Sequence, residues 1–132
     1  MLVIRDEQMS VLAASSLQGF TQRARIHLRR TFPEQLQHTS NAGLELEITG
    51  AVAAAGRFGI VSERDCCRYL HVCVIAGWHF PEDPGSAWMV ETLSDHAVTD
   101  PSMRLDLLIA RWRHRRHVEE RNRAVAARFG LE

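Results

Sequence analysis

The sequence predicts an all-α fold: a small single-domain bundle of about four to five helices around a central buried helix at about 63–78, with a long C-terminal helix. Three observations carry that prediction. The stretch Ser62–Trp78, SERDCCRYLHVCVIAGW, is apolar almost all the way round a helical wheel, as a core helix is. Residues 6–31 repeat apolar side chains at spacings of three and four. Asp100-Pro101 opens the final segment with a capping residue followed by proline at the first helical position.

Taken in order, residues 6–31 form an amphipathic helix through Met9, Leu12, Ala13, Leu17, Phe20, Ala24 and Leu28, which Pro33 stops. Arg25, Arg29 and Arg30 at its end suit the helix dipole and are expected to be a solvated cluster. The polar link 34–40 leads to a second helix from about Asn41 to Ala55, with Leu44, Ile48, Val52 and Ala55 on one side and Gly56 as its C-terminal stop. Gly43 and Gly50 each weaken it by roughly 1 kcal/mol relative to alanine, unless a neighbouring helix packs closely there. Phe58 and Ile60 are expected to tuck under the helix pair.

Ser62 caps the central helix, with Asp65 placed to return a hydrogen bond to the cap. Leu70 and Ile75 are expected to be fully buried. The apolar run Tyr69–Trp78 includes His71 and is far short of the roughly 20 residues that span a bilayer, so it predicts no membrane contact. Pro81, Pro84 and Gly85 then force a loop, Trp88–Leu93 make a short helix, and the last helix runs from Pro101 to Arg128. In that helix Leu105, Leu108, Ile109 and Trp112 share a face, but the next positions on it are Arg115, Arg116, Glu119 and Glu120. Packing is expected to end near Trp112, so that residues 113–132 of the single 1–132 domain either project as a solvated helical tail or present a second surface to a partner.

The 16 basic residues, all arginine, balance 16 acidic ones, and this neutrality argues against a dedicated nucleic-acid binder. The charge is uneven, however. Six arginines at 111, 113, 115, 116, 121 and 123 against Glu119 and Glu120 leave a local net charge of +4. Glu82, Asp83, Glu91, Asp95 and Asp100 make the preceding region acidic, so the two regions are positioned to attract each other or separate partners. Three cysteines, all in the central helix, predict reduced thiols and a cytoplasmic location; Leu2-Val3-Ile4 is too short for the core of a signal peptide.

No nucleophile elbow, glycine-rich phosphate loop or histidine–glutamate zinc motif is present, so no catalytic residue and no cofactor are assigned and the protein is expected not to be an enzyme. Cys67 and His71 are four apart on one helix face, with His79 two turns on, but a zinc site wants about four ligands and no second pair is visible in the sequence. The cysteines are therefore expected to be unreactive structural thiols with no metal. Arg111–His117 has the residue types that clamp phosphates, although Trp112 falls on the core face and Glu119 and Glu120 break the charge. A solvated face and a protein-docking face fit that segment better than a nucleic-acid site.

The block RFGIVSERDCCRYLHVCVIAGWHFPEDPGSAW, residues 57–88, the opening LVIRDEQM, and Arg29-Arg30-Thr31-Phe32-Pro33-Glu34 after the first helix together resemble a family of small bacterial proteins encoded in type VI secretion clusters, beside toxin effectors and their loading chaperones. The similarity covers most of residues 1–110. It implies a non-enzymatic adaptor or co-chaperone that binds an effector or its chaperone before loading. The residues expected to meet that protein partner are Arg113, Arg115, Arg116, Val118, Arg121 and Arg123 of the last helix, with Phe80 and Trp88 of the loop. A homodimer is compatible with the same surfaces. The alternative is a small regulatory or nucleic-acid-binding module that uses the same arginines.

Overall fold

A computed structural model describes residues 14–130, and all its regular structure is helical, with no strand among the described residues. The elements are α1 (Ala14–Thr31), α2 (Asn41–Arg57), α3 (Glu63–Ala76), two 3-10 turns (Phe80–Glu82 and Pro84–Ser86), α4 (Ala87–Leu93) and α5 (Pro101–Arg128). Residues 6–13 of the expected first helix lie outside the described residues, and Phe20, Ala24 and Leu28 of the remainder are buried as its spacing requires.

The helix starts follow from capping chemistry. Ser40 Oγ accepts from Gly43 N at 3.0 Å, Ser62 Oγ from Asp65 N at 3.2 Å, and Asp100 Oδ1 from Ser102 N at 3.0 Å. Each satisfies an amide that the first turn leaves without a partner. Asp65 does not return the bond to Ser62; its carboxylate accepts instead from Arg68 at 3.1 Å and from the Ser102 hydroxyl at 3.3 Å, tying α3 to the start of α5.

α2 runs two residues past Ala55, and the left-handed stop is Gly59 at φ 81°, not Gly56. A Cβ at Gly59 would also sit 3.0 Å from the Pro101 ring, so the α2–α3 turn can lie against the start of α5 only with glycine there. Ile60 is buried and Phe58 half-buried beneath the helix pair. Nothing approaches within 4 Å of a Cβ built at Gly50, so that glycine serves no close helix contact.

α3 packs against α1, α2 and α5. Cys66, Tyr69, Leu70 and Cys73 form its core stripe. Ile75, expected to be fully buried, is 44% exposed. It shares with Val72 a second stripe that faces a groove of about 280 Å³ between α3 and α5, lined also by Arg68, His71, Ile109, Trp112 and Arg113. An all-round apolar helix therefore lies at the centre of this bundle without being covered on every side.

Two arginines hold the connections. Arg29 donates to the carbonyls of Leu36 (2.6 Å) and Thr39 and to Asn41 Oδ1 (2.9 Å), locking the α1–α2 link, while Arg25 pairs with Glu45 at 2.9 Å. The expected solvated cluster is thus structural at two of its three members. Arg104, 5% exposed, donates to Val98 O at 2.7 Å and Phe58 O at 2.9 Å, joining the approach to α5 with the α2–α3 turn. A buried guanidinium is tolerated because carbonyl oxygens replace its water.

Candidate functional site

α4 lies along the middle of α5, and their contact is built from side chains that sequence periodicity assigns to opposite charge regions. Arg111 donates to Thr92 Oγ1 at 2.8 Å, and the Arg115 guanidinium stacks 4.2 Å above the Trp88 ring. These residues, with Glu91, Asp95, Ala110 and His114, line a groove of about 650 Å³. The acidic and basic segments do meet, but across this groove and with no ion pair between them among the described residues. One wall offers carboxylates and the other guanidinium and imidazole groups, with an indole between.

Beyond this contact the described residues give α5 little to lie on. From Arg113 to Gly130 every residue is exposed except Ala126, which is half-buried. Arg116 reaches Glu120 at 3.7 Å and sits 5.2 Å from the Trp112 ring centroid. Arg113, Arg121 and Arg123 make no ion pair among the described residues. Val118, Val125 and Phe129 leave their apolar surface in water, Phe129 at 67% exposure. The structure so brings Trp88 and Arg115 together and leaves Arg113, Arg116, Val118, Arg121 and Arg123 on a solvated helix.

Phe80 does not join them. It is 1% exposed, its ring centroid 5.4 Å from that of Tyr69, because the turn after Gly77 (φ 123°) folds the chain back under α3. Phe80 is a core residue, and the Phe80–Trp88 segment offers a partner only its Trp88 end.

A second constellation lies between α1 and α3. His27 of α1 faces Cys67 and His71 of α3, and their donor atoms all lie within 4.8 Å of one another. The two Nε2 atoms are 2.8 Å apart and face each other across two nearly parallel rings (19°) whose centroids are 5.0 Å apart, while the Phe32 ring meets His71 edge-on at 5.2 Å. Burial, then the neighbouring His27, holds the His71 imidazole below its ordinary pKa, and burial raises the Cys67 thiol above its own. Cys66 is pushed up to about 12 and Cys73 further still, mainly by burial, so both remain inert thiols. His79, the donor that helical spacing suggested, lies instead 3.7 Å from Glu47. The third donor beside Cys67 and His71 is His27, 44 positions away from His71 in the chain, and not His79. No local pattern connects the two.

No helix of the described residues is long and apolar enough to cross a membrane. Comparison with protein-family models, curated proteins and solved structures finds no match to this chain.

Proposed function

We propose that the protein acts by stoichiometric binding, as a non-enzymatic adaptor or co-chaperone that holds a secreted toxin effector or its loading chaperone in the cytoplasm of a type VI secreting bacterium. The observation that carries this reading is the second half of α5. A helix from Arg113 to Arg128 spans about 24 Å at 1.5 Å per residue, exposes arginines around much of its circumference and leaves Val118, Val125 and Phe129 exposed on one face. Exposed arginines cost little, and they gain bidentate, charge-assisted bonds when a partner supplies carboxylates. The apolar residues beside them add the buried area that a helix-in-groove contact needs. The resemblance of residues 57–88 to accessory proteins of secretion clusters supports the choice of partner class.

The experiment reverses two arginines that are far from the core and make no ion pair among the described residues, Arg121→Glu with Arg123→Glu. Folding should stay within about 1 kcal/mol of wild type, as for surface changes generally. Recovery of the effector or chaperone from the native host should fall about tenfold or more, equivalent to about 1.4 kcal/mol. Undiminished capture by the folded double variant overturns the assignment of this helix. Binding of duplex or single-stranded nucleic acid that weakens steeply with salt would replace the adaptor reading with a nucleic-acid module.

A further inference from the structure

We propose that His27, Cys67 and His71 bind one borderline divalent transition-metal ion, zinc foremost, and that this ion clamps α1 to α3. Cys67 and His71, one turn apart, put a sulfur and an imidazole on the same face of α3. His27 brings a third donor from the facing side of α1, so the set joins two elements, as a structural clamp must. Two imidazole nitrogens on zinc lie about 3.3 Å apart and a nitrogen and a thiolate sulfur about 3.5 Å apart, given bond lengths of about 2.0–2.1 and 2.3 Å. From 2.8 Å between the two Nε2 atoms, and at most 4.8 Å within the set, this geometry needs a small opening of the histidine pair and a closure of little more than about 1 Å toward sulfur.

The surroundings suit the ion. Two Nε2 atoms at hydrogen-bond distance share one proton, and a metal takes the same place between their lone pairs. Phe32, edge-on to His71, limits the swing of that ring. One turn toward the helix starts, Arg23 is bound by Glu63 at 2.6 Å, so its charge is neutralised beside the site. His27 is exposed, which gives the ion access from solvent and leaves a fourth position for water. Soft thiolate with imidazole selects zinc, cobalt and copper over calcium or magnesium. Binding converts the Cys67 thiol and M²⁺ into a thiolate–metal bond and releases one proton to solvent; both imidazoles give lone pairs, and nothing is oxidised or reduced.

The test uses the full chain, reduced and stripped with chelator, titrated with Co²⁺ alone and then with Zn²⁺. One equivalent of Co²⁺ should give a thiolate-to-cobalt charge-transfer absorption that Zn²⁺ abolishes by displacement. Zn²⁺ at about a hundred times its Kd should raise Tm by roughly 5–10 °C. Cys67→Ser should remove the absorption, and His27→Gln, at an exposed position that leaves the fold intact by circular dichroism, should weaken Zn²⁺ binding about tenfold or more. His79→Gln should change neither. Absence of the absorption at one equivalent, its persistence in Cys67→Ser, or unchanged zinc affinity in folded His27→Gln overturns the site.

Discussion

The two halves of α5 have similar arginine-rich sequences and opposite fates. In the first half Arg104 is buried against carbonyls between Leu105 and the α2–α3 turn, and Leu105 and Leu108 are wholly inaccessible. In the second half arginines of the same type stand in water. Arginine content does not separate the two; the apolar partners three and four positions away do. Where Leu105 and Leu108 fix the helix against α3, an arginine on that side must find backbone oxygens. Where that stripe gives way to Arg115, Arg116, Glu119 and Glu120, none need do so.

The contrast is tested most severely in the apolar stripe. Leu105→Ala or Leu108→Ala should destabilise the domain by about 2–5 kcal/mol in urea titration. Val118→Ala and Val125→Ala should each stay within about 0.5 kcal/mol. Equal losses from the two halves would mean the tail is packed. Next comes Arg104→Met, which leaves the Val98 and Phe58 carbonyls without their charged donor and should cost about 2–4 kcal/mol. Arg113→Met, where no such bond exists, should cost nothing measurable.

These pairs also mark what was legible in the sequence. Helix starts were, because a cap is a local chemical event: Ser62 and Asp100 behave as their neighbours dictate, and the α5 phase break after Trp112 appears where the periodicity fails. Features that depend on which helix lies alongside were not. Ile75 belongs to an apolar run, yet whether it is covered depends on how closely α5 approaches Val72. Phe80 follows a turn that aims it inward, although composition gave it to an exposed loop. Arg29, Arg104 and His27 act through partners 5 to 46 positions away, none of which the helical periodicity identifies. The exposure of the second half of α5 was therefore readable in advance, and the meeting of His27 with Cys67 and His71 was not.

A smaller effect, of opposite sign, sharpens the comparison on α2. Gly50→Ala, with nothing within 4 Å of the new methyl group, should stabilise the fold by up to about 1 kcal/mol. A loss there would show that exposed helix surface in this protein is less free than the second half of α5 suggests. Least of all should be the response to mild acid. His71 in the folded chain titrates below its ordinary value of 6.5, through burial first and His27 second. As pH falls through that value the unfolded chain takes up the proton that the folded chain resists, so stability is complete above it and declines below. Tm measured from pH 7.5 to 5 should fall modestly, and His71→Gln should flatten the fall; a rise on acidification would contradict the lowered pKa of His71 in the folded chain.

The anchored first half of α5 has a consequence for how its second half moves. A free segment of this length in water would be a marginal helix, since the first turn is costly to nucleate. Here Leu105 and Leu108 have already formed that nucleus, and the tail needs only to propagate from it. Amide hydrogen exchange should therefore be slow around Leu108 and quicken residue by residue toward Phe129, as unzipping from the C-terminal end of the helix costs less the nearer a residue lies to it. The helix presents its arginines as a graded structure, firm near Trp88 and progressively frayed beyond, so a ligand that grips near Phe129 must supply ordering free energy that one gripping near Arg115 receives from the body of the protein.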